Sequence, residues 1–171
     1  MSHITVFCDG SCLSNGKAGA SAGFGVCVLR DGAELHTYSS PVSKPEPQTN
    51  QRAELLALQY AIAYMAESGL SGDIYTDSKY AIQCLTVWGP TWETNGWRKA
   101  DKKPVLHLDI IQPMLELWRS MTGVKIHHVF GHTGGKDAIS QGNAMADRLA
   151  HSAATDAATA AATDAASRAT S

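Results

Sequence analysis

The sequence predicts an α/β fold with one mixed sheet covered by helices, and three observations predict it. Three β-branched or aromatic runs, separated by glycine- and aspartate-containing turns, open the chain. Helical and strand-like patterns then alternate to the end of the patterned region. The length, 171 residues, suits one domain with a proper core and is short for two.

The elements follow in order. Residues 3–9 read as a strand ending at Asp9 and a glycine, and Asn15 to Ala20 as a glycine-rich turn. Ala22 to Leu29 is a second strand, Asp31-Gly32 a turn, and Glu34 to Pro41 a third, antiparallel strand. The prolines of Lys44-Pro45-Glu46-Pro47 require a loop. A helix runs from about Thr49 to Glu67, with Leu55, Leu58, Ile62 and Met65 at helical spacing and Thr49 or Asn50 as its cap. Asp73 to Asp77 is a short strand, after which Ser78 caps a helix through Leu85. Trp88 to Lys103 reads as irregular. Val105 to Ser120 is an amphipathic helix that Pro113 should kink unless it sits near the start. Gly123 to Val129 is the fifth strand, and a loop from Gly131 to Gly142 leads to a last helix near Asn143 to Ser152. The order is β-β-β-α-β-α-α-β-α, which implies one mixed sheet with helices covering it.

Two regions are expected: a domain over residues 1–152 and an Ala/Thr/Asp/Ser tail over 153–171, which lacks large apolar side chains and reads as disordered or fraying. Apolar residues make up 44% and charged residues 18%, ordinary for a soluble globular protein. No run approaches the roughly 18 apolar residues of a membrane span, so no membrane partner is expected. The start of the chain has no signal-peptide order, which leaves a cytosolic or nuclear location as the expectation. Cys8, Cys12, Cys27 and Cys84 form no Cys-x-x-Cys pair and read as small buried or half-buried thiols. A formal charge of −2 gives no global pull on nucleic acid, so any such binding must come from a local cluster.

The chemistry lies in four acids. Asp9 and Asp77 end apolar strands before Gly10 and Ser78, positions that also suit turn formers and caps. Glu54 is one turn into its helix, where a solvated acid would complement the helix dipole. Asp147 follows Asn143 by four residues on one helix face, and could equally pair with His151. Together they offer two acids from strand ends and two from helices able to cover those ends. Hard oxygen ligands in that number suit Mg²⁺ or Mn²⁺, and like-charged acids held close need cations or protons. Two such ions would activate a water and stabilise a leaving oxygen in phosphoryl transfer.

Asp9-Gly-Ser with Ser14-Asn-Gly, Thr49-Asn-Gln-Arg-Ala-Glu54, Tyr75-Thr-Asp-Ser78, Gly131-His-Thr-Gly134 and Asn143-x-x-Ala-Asp-Arg-Leu-Ala150 resemble, in order, the motifs of type 1 ribonuclease H. The resemblance spans residues 3 to 152. It implies a ribonuclease H-like five-stranded mixed sheet in order 3-2-1-4-5, with strand 2 antiparallel, flanked by helices. It implies a metal-dependent endonuclease that cuts the RNA strand of an RNA–DNA hybrid, removing primers and hybrids during replication. The cofactor implied is Mg²⁺, two ions per site, with Mn²⁺ as a possible substitute. Asp9, Glu54, Asp77 and Asp147 are the implied metal ligands, and His132 a mobile participant in proton transfer or product release.

The resemblance also places Cys12, Ser14, Asn15 and Gln51 against the hybrid minor groove, where the 2′-hydroxyl is read. Asn50 reaches toward the DNA side, and Thr49 and Asn143 join the substrate-binding set. Trp88, Trp97, Arg98 and Lys99 belong to a basic arm in which Trp92, Lys102 and Lys103 also stand; such a segment mixes flat apolar faces with cations. For Trp92 and Trp97 the alternative reading is a surface helix whose tryptophans pack into the domain.

Three departures stand out: Pro47 where relatives carry arginine and His107 where they carry asparagine; the less basic Thr91-Trp92-Glu93-Thr94; and a longer loop between His132 and Asp147. The first suggests a differently built DNA-phosphate pocket. The competing readings are a nuclease of the same fold acting on DNA, a hybrid-binding module without chemistry, and a piece of a reverse transcriptase. A monomer with no obligatory protein partner is expected, and the early first strand suggests a free-standing protein.

Overall fold

Five strands and the helices around them are seen in a computed structural model that describes residues 2–169. The strands are β1 (Ile4–Leu13), β2 (Ser21–Arg30), β3 (Ala33–Pro41), β4 (Gly72–Thr76) and β5 (Val124–His128). They form one sheet in the order β3-β2-β1-β4-β5, with β2 antiparallel to both neighbours and β4 parallel to β1 and β5. The expected topology is the observed one.

The helices are α1 (Asn50–Ser68), α2 (Lys79–Gln83), α3 (Gly89–Thr94), α4 (Leu108–Arg119) and α5 (Ala138–Ala169). On one face, Leu55, Leu58, Ile62 and Met65 of α1 join Ile111, Met114 and Leu115 of α4 in a fully buried core over Val6, Val26 and Ile74. On the other, α5 lies across β1, β2 and β3, closing over Phe7 and Cys27. This second seat depends on absent side chains. A Cβ at Gly25 would stand 2.5 Å from Leu149 Cβ and 2.6 Å from the Ala150 nitrogen. Among the described residues, no helix is long and apolar enough to cross a membrane.

Several local expectations need correction. β1 does not end at Asp9 but runs to Leu13, because β2 continues to pair with it after β4 has stopped; Asp9 is opposite Gly25. The stretch from Trp88 is not irregular at its start. A wide π turn over Cys84–Trp88 joins α2 to α3, with the Gly89 N–H donating to the Cys84 carbonyl, just before Pro90, which has no N–H of its own. Pro113 lies within α4 rather than near its start. α5 begins at Ala138, ahead of Asn143, and continues past Ser152, where the sequence places its end, to Ala169. Alanine propensity favours the extension, and Ala153 and Ala154 are buried by it.

Candidate active site

Asp9 sits on the central strand, one residue beyond the last parallel pair, Cys8 with Thr76. The residue is 4% exposed, and its carboxylate accepts the Gly10 N–H at 2.8 Å. Asp77 follows β4, on the adjacent strand end, and is half-buried. Ser78 then caps α2, its hydroxyl accepting the Ala81 N–H at 3.0 Å.

Glu54 is delivered by α1. Thr49 caps that helix, its hydroxyl accepting the Arg52 N–H at 3.1 Å. The first turn of α1 lies against Gly10, where a Cβ would come within 2.5 Å of the Ala53 carbonyl carbon. The close approach that glycine permits places Glu54 beside Asp9. Two donors hold the Glu54 carboxylate: Asn50 Nδ2 at 2.8 Å and Ser78 Oγ at 2.7 Å. Asp147 comes from α5, with His132 Nε2 3.9 Å from its Oδ1. His132 itself is exposed, in a left-handed backbone conformation in the loop before α5.

One cleft therefore receives all four acids, together with Gly10, Ser11, Cys12, Asn50, His132 and His151. Its electrostatics are those of unbalanced negative charge. Burial, and then the neighbouring carboxylates of Asp77 and Asp147, push Asp9 up to about 9. Burial also raises Glu54, against the lowering effect of the Ser78 hydrogen bond. A divalent cation would relieve both, and the donor chemistry, carboxylate oxygens without thiolates, fits a hard ion. Among the described residues, no three His, Cys, Asp or Glu side chains are already spaced as ligands of one ion, so the acids would have to draw together around it.

The other predicted residues lie at graded distances from this cleft. Cys12 lines it and donates its thiol to the Gln48 carbonyl at 3.3 Å. Asn15 is exposed, and its Oδ1 accepts the Asn50 N–H at 3.1 Å, tying the β1–β2 loop to the start of α1. Ser14 and Gln51 are exposed, Ser14 in a left-handed conformation. Asn143 is 4% exposed and lines a neighbouring hollow with His132 and Asp147; its Oδ1 has no hydrogen-bond partner.

The arm is built differently from the cleft. Trp88 is exposed and its ring centroid is 6.0 Å from that of Tyr80. Trp92 and Trp97 are half-buried and pack against the core. Arg98 pairs with Pro104 in an isolated bridge, and its guanidinium donates to the Lys102 carbonyl at 3.3 Å. Lys99 Nζ lies 4.0 Å from Asp101. None of Trp88, Trp97, Arg98 and Lys99 lines the acid cleft.

At the departures, His107 is buried, with Nδ1 3.2 Å from Arg52 Nη1. Arg52 also binds Glu46 and Asp109. Burial and the Arg52 charge lower the His107 pKa, which favours the neutral ring that can accept a guanidinium hydrogen on Nδ1. Sequence reasoning missed Ser78 as a brace for Glu54, reading it only as a cap. His151 appeared only as an i,i+4 partner of Asp147, yet it lines the cleft.

Known proteins resemble the chain over most of its length. The family model described as RNase H matches residues 1–155. The chain is 39% identical to Ribonuclease H of Schizosaccharomyces pombe, over 87% of this chain and 52% of that protein. It is 33% identical to Ribonuclease H of Ruthia magnifica subsp. Calyptogena magnifica, over 90% of this chain and 96% of that one. Thus it spans about half the length of the first relative and nearly all of the second. The fold is also that of a region of the foamy viral protease-reverse transcriptase solved in complex with RNA/DNA hybrid, with a TM-score of 0.75 at 23% identity, covering 88% of this chain and 20% of that chain.

Proposed function

The chain belongs to the ribonuclease H family, and from that premise we propose that it hydrolyses the RNA strand of an RNA–DNA hybrid endonucleolytically, leaving 5′-phosphate and 3′-hydroxyl ends. The observation that carries the reading is the meeting of Asp9, Glu54, Asp77 and Asp147 in one cleft with His132 at its rim. Enzymes of this family depend on divalent metal ions. In our reading the ions are two Mg²⁺, with Mn²⁺ as substitute, held by those four acids. When bound, such ions supply an activated water and charge stabilisation at the leaving oxygen.

The chain's own groups do the rest. Asn50 and Ser78 each donate to one Glu54 oxygen, which restrains how that carboxylate turns as the acids draw together around an ion. His132 is close enough to Asp147 to pass a proton near the leaving group or to help product depart. Cys12 in the cleft and the exposed Ser14, Asn15 and Gln51 outside it offer uncharged polar groups, suited to a 2′-hydroxyl that both donates and accepts. Asn50, Thr49 and Asn143 complete the inner contacts, and Trp88, Trp97, Arg98 and Lys99 hold the DNA strand farther out. The catalytic unit is the 1–152 region together with Ala153 and Ala154, which the same helix buries, acting as a monomer without an obligatory protein partner. Its role is removal of RNA primers and hybrids during replication, in the cytoplasm or, in a eukaryotic cell, the nucleus.

The test is cleavage of end-labelled RNA–DNA, RNA–RNA and DNA–DNA duplexes with Mg²⁺ and with chelator. Magnesium-dependent loss of the hybrid's RNA strand alone is expected. Preferential cutting of the DNA duplex would replace this reading with a DNA nuclease of the same fold.

A further inference from the structure

We propose that Phe130 is a further substrate-binding residue, an apolar seat for a ribose of the RNA strand beside the phosphodiester that lies over the acids. The inference rests on the nuclease reading above. Phe130 is 75% exposed, and no other large apolar residue among those described is as open. Single exposed apolar side chains are common, so exposure alone assigns nothing. Position does. The last parallel pair of β4 and β5 joins Thr76 to His128, and the Val129 N–H donates to the Thr76 carbonyl at 3.0 Å just beyond it. Phe130 therefore leaves the sheet level with the step from Asp77 to Ser78.

The main chain on either side of Phe130 is pinned. Gly131 packs so closely on Asp77 that a Cβ there would overlap Asp77 Oδ2. His132 follows, with its Nε2 3.9 Å from Asp147 Oδ1. Phe130 thus stands between a residue bonded to β4 and two that reach the acids, at the rim of the cleft that Asp77, His132 and Asp147 line. His128 meets its ring edge to face, with centroids 5.3 Å apart and planes at 85°. That contact sets the direction of the ring and leaves most of its surface uncovered.

The chemistry of the side chain narrows what it meets. A phenyl ring has no charge and no hydrogen-bonding group, so it neither neutralises a phosphate nor reads a 2′-hydroxyl. It can cover the carbon face of a sugar. The minor groove of an A-form duplex is wide and shallow, with the ribose 2′-hydroxyls displayed in it, so a flat side chain at the cleft rim can reach those sugars. A strand whose scissile phosphate lies over Asp9, Glu54, Asp77 and Asp147 carries a neighbouring ribose across that rim. Seating this ribose would fix which phosphodiester meets the acids. Cations such as Arg98 and Lys99 lose their hold on phosphates as salt rises, whereas an apolar contact neutralises no phosphate and adds nothing to the salt dependence.

The experiment measures hybrid affinity by fluorescence anisotropy over a range of salt concentrations, in Asp9→Asn protein with Mg²⁺ so that the RNA strand stays intact. Adding Phe130→Ala should weaken binding on the order of tenfold, the effect of removing one aromatic contact to a nucleotide, with an unchanged salt slope. Phe130→Trp should restore the affinity, and neither change should move the thermal midpoint. Labelled with fluorotryptophan, the Phe130→Trp protein should show one fluorine resonance beyond the four of the parent chain, and that resonance should shift when hybrid is added. In the active protein, Phe130→Ala should spread cleavage over more phosphodiesters of a hybrid of defined sequence. Unchanged affinity in Phe130→Ala, or an added resonance that does not move, overturns the proposal. A slower rate at unchanged affinity also overturns it, because the ring would then only prop the His132 loop. Failure of the nuclease reading shows separately, as a wild-type chain that leaves the RNA of the hybrid uncut.

Discussion

Gly10 lies so close to Glu54 that a Cβ on residue 10 would overlap the Glu54 backbone nitrogen. The spacing between the central strand and α1 is therefore the spacing between two of the acids.

Gly10→Ala should accordingly move α1 outward, with Glu54 on it. Overpacking at such a contact costs roughly 1–3 kcal/mol, read by urea denaturation. Hybrid cleavage should fall much further than that loss of stability explains. A Gly10→Ala protein with wild-type stability and rate would show that the helix has room to yield.

The acid cleft should make the metal-free protein less stable as pH rises. Asp9 is pushed from its ordinary 3.8 to about 9, so between those values the folded state keeps a proton that the unfolded chain has lost. The associated stability is fully present below pH 3.8 and is lost as pH climbs toward about 9. Asp9→Asn should remove this slope and, in chelator at pH 8, give a fold more stable than the wild type while abolishing cleavage. Denaturation curves that are equally pH-dependent in both proteins would contradict the assignment.

His132→Ala should slow turnover on the order of 100-fold without weakening hybrid binding. His132 is exposed and touches the acids only through Asp147, so its removal leaves the fold's contacts intact. Single-turnover rates and a filter-binding affinity separate the two effects. Weakened affinity with an unchanged rate would make it a binding residue instead.

Shortening the chain after residue 155 should leave stability and cleavage within experimental error, whereas shortening it after residue 152 should not. Ala153 and Ala154 are buried against β2, and Gly23 is close beneath them. The helix beyond carries mainly exposed side chains. Circular dichroism and thermal melting of the two truncations measure the difference.

Local signals told most where one residue type does one job. Thr49 and Ser78 read as caps and are caps. The apolar spacing of α1 named its buried face. Signals that depend on partners distant in sequence were silent. Nothing near Asp9 says that β2 outlasts β4 beside it, so the sequence pattern of the strand stops four residues short of Leu13. The end of α5 is illegible in the sequence because alanine carries no stripe, only propensity. Likewise, the brace from Ser78 to Glu54 joins residues 24 positions apart, and His3, Asp73 and His127 meet only through sheet register.

Asp147 owes its depth in the cleft to β2, a strand that contributes none of the four acids. Its neighbours Ala146, Leu149 and Ala150 rest directly on the bare backbone of Gly25, and Gly142, one turn earlier, rests on the ring of Phe7. Two points of support, one stripped of its side chain and one aromatic, work as a seesaw beneath the helix. Thickening either would tilt the beam and carry Asp147 in an arc away from its fellows. The tolerance of the chemistry is thus written in β2 and in the floor of the sheet, where a screen confined to charged residues would never look.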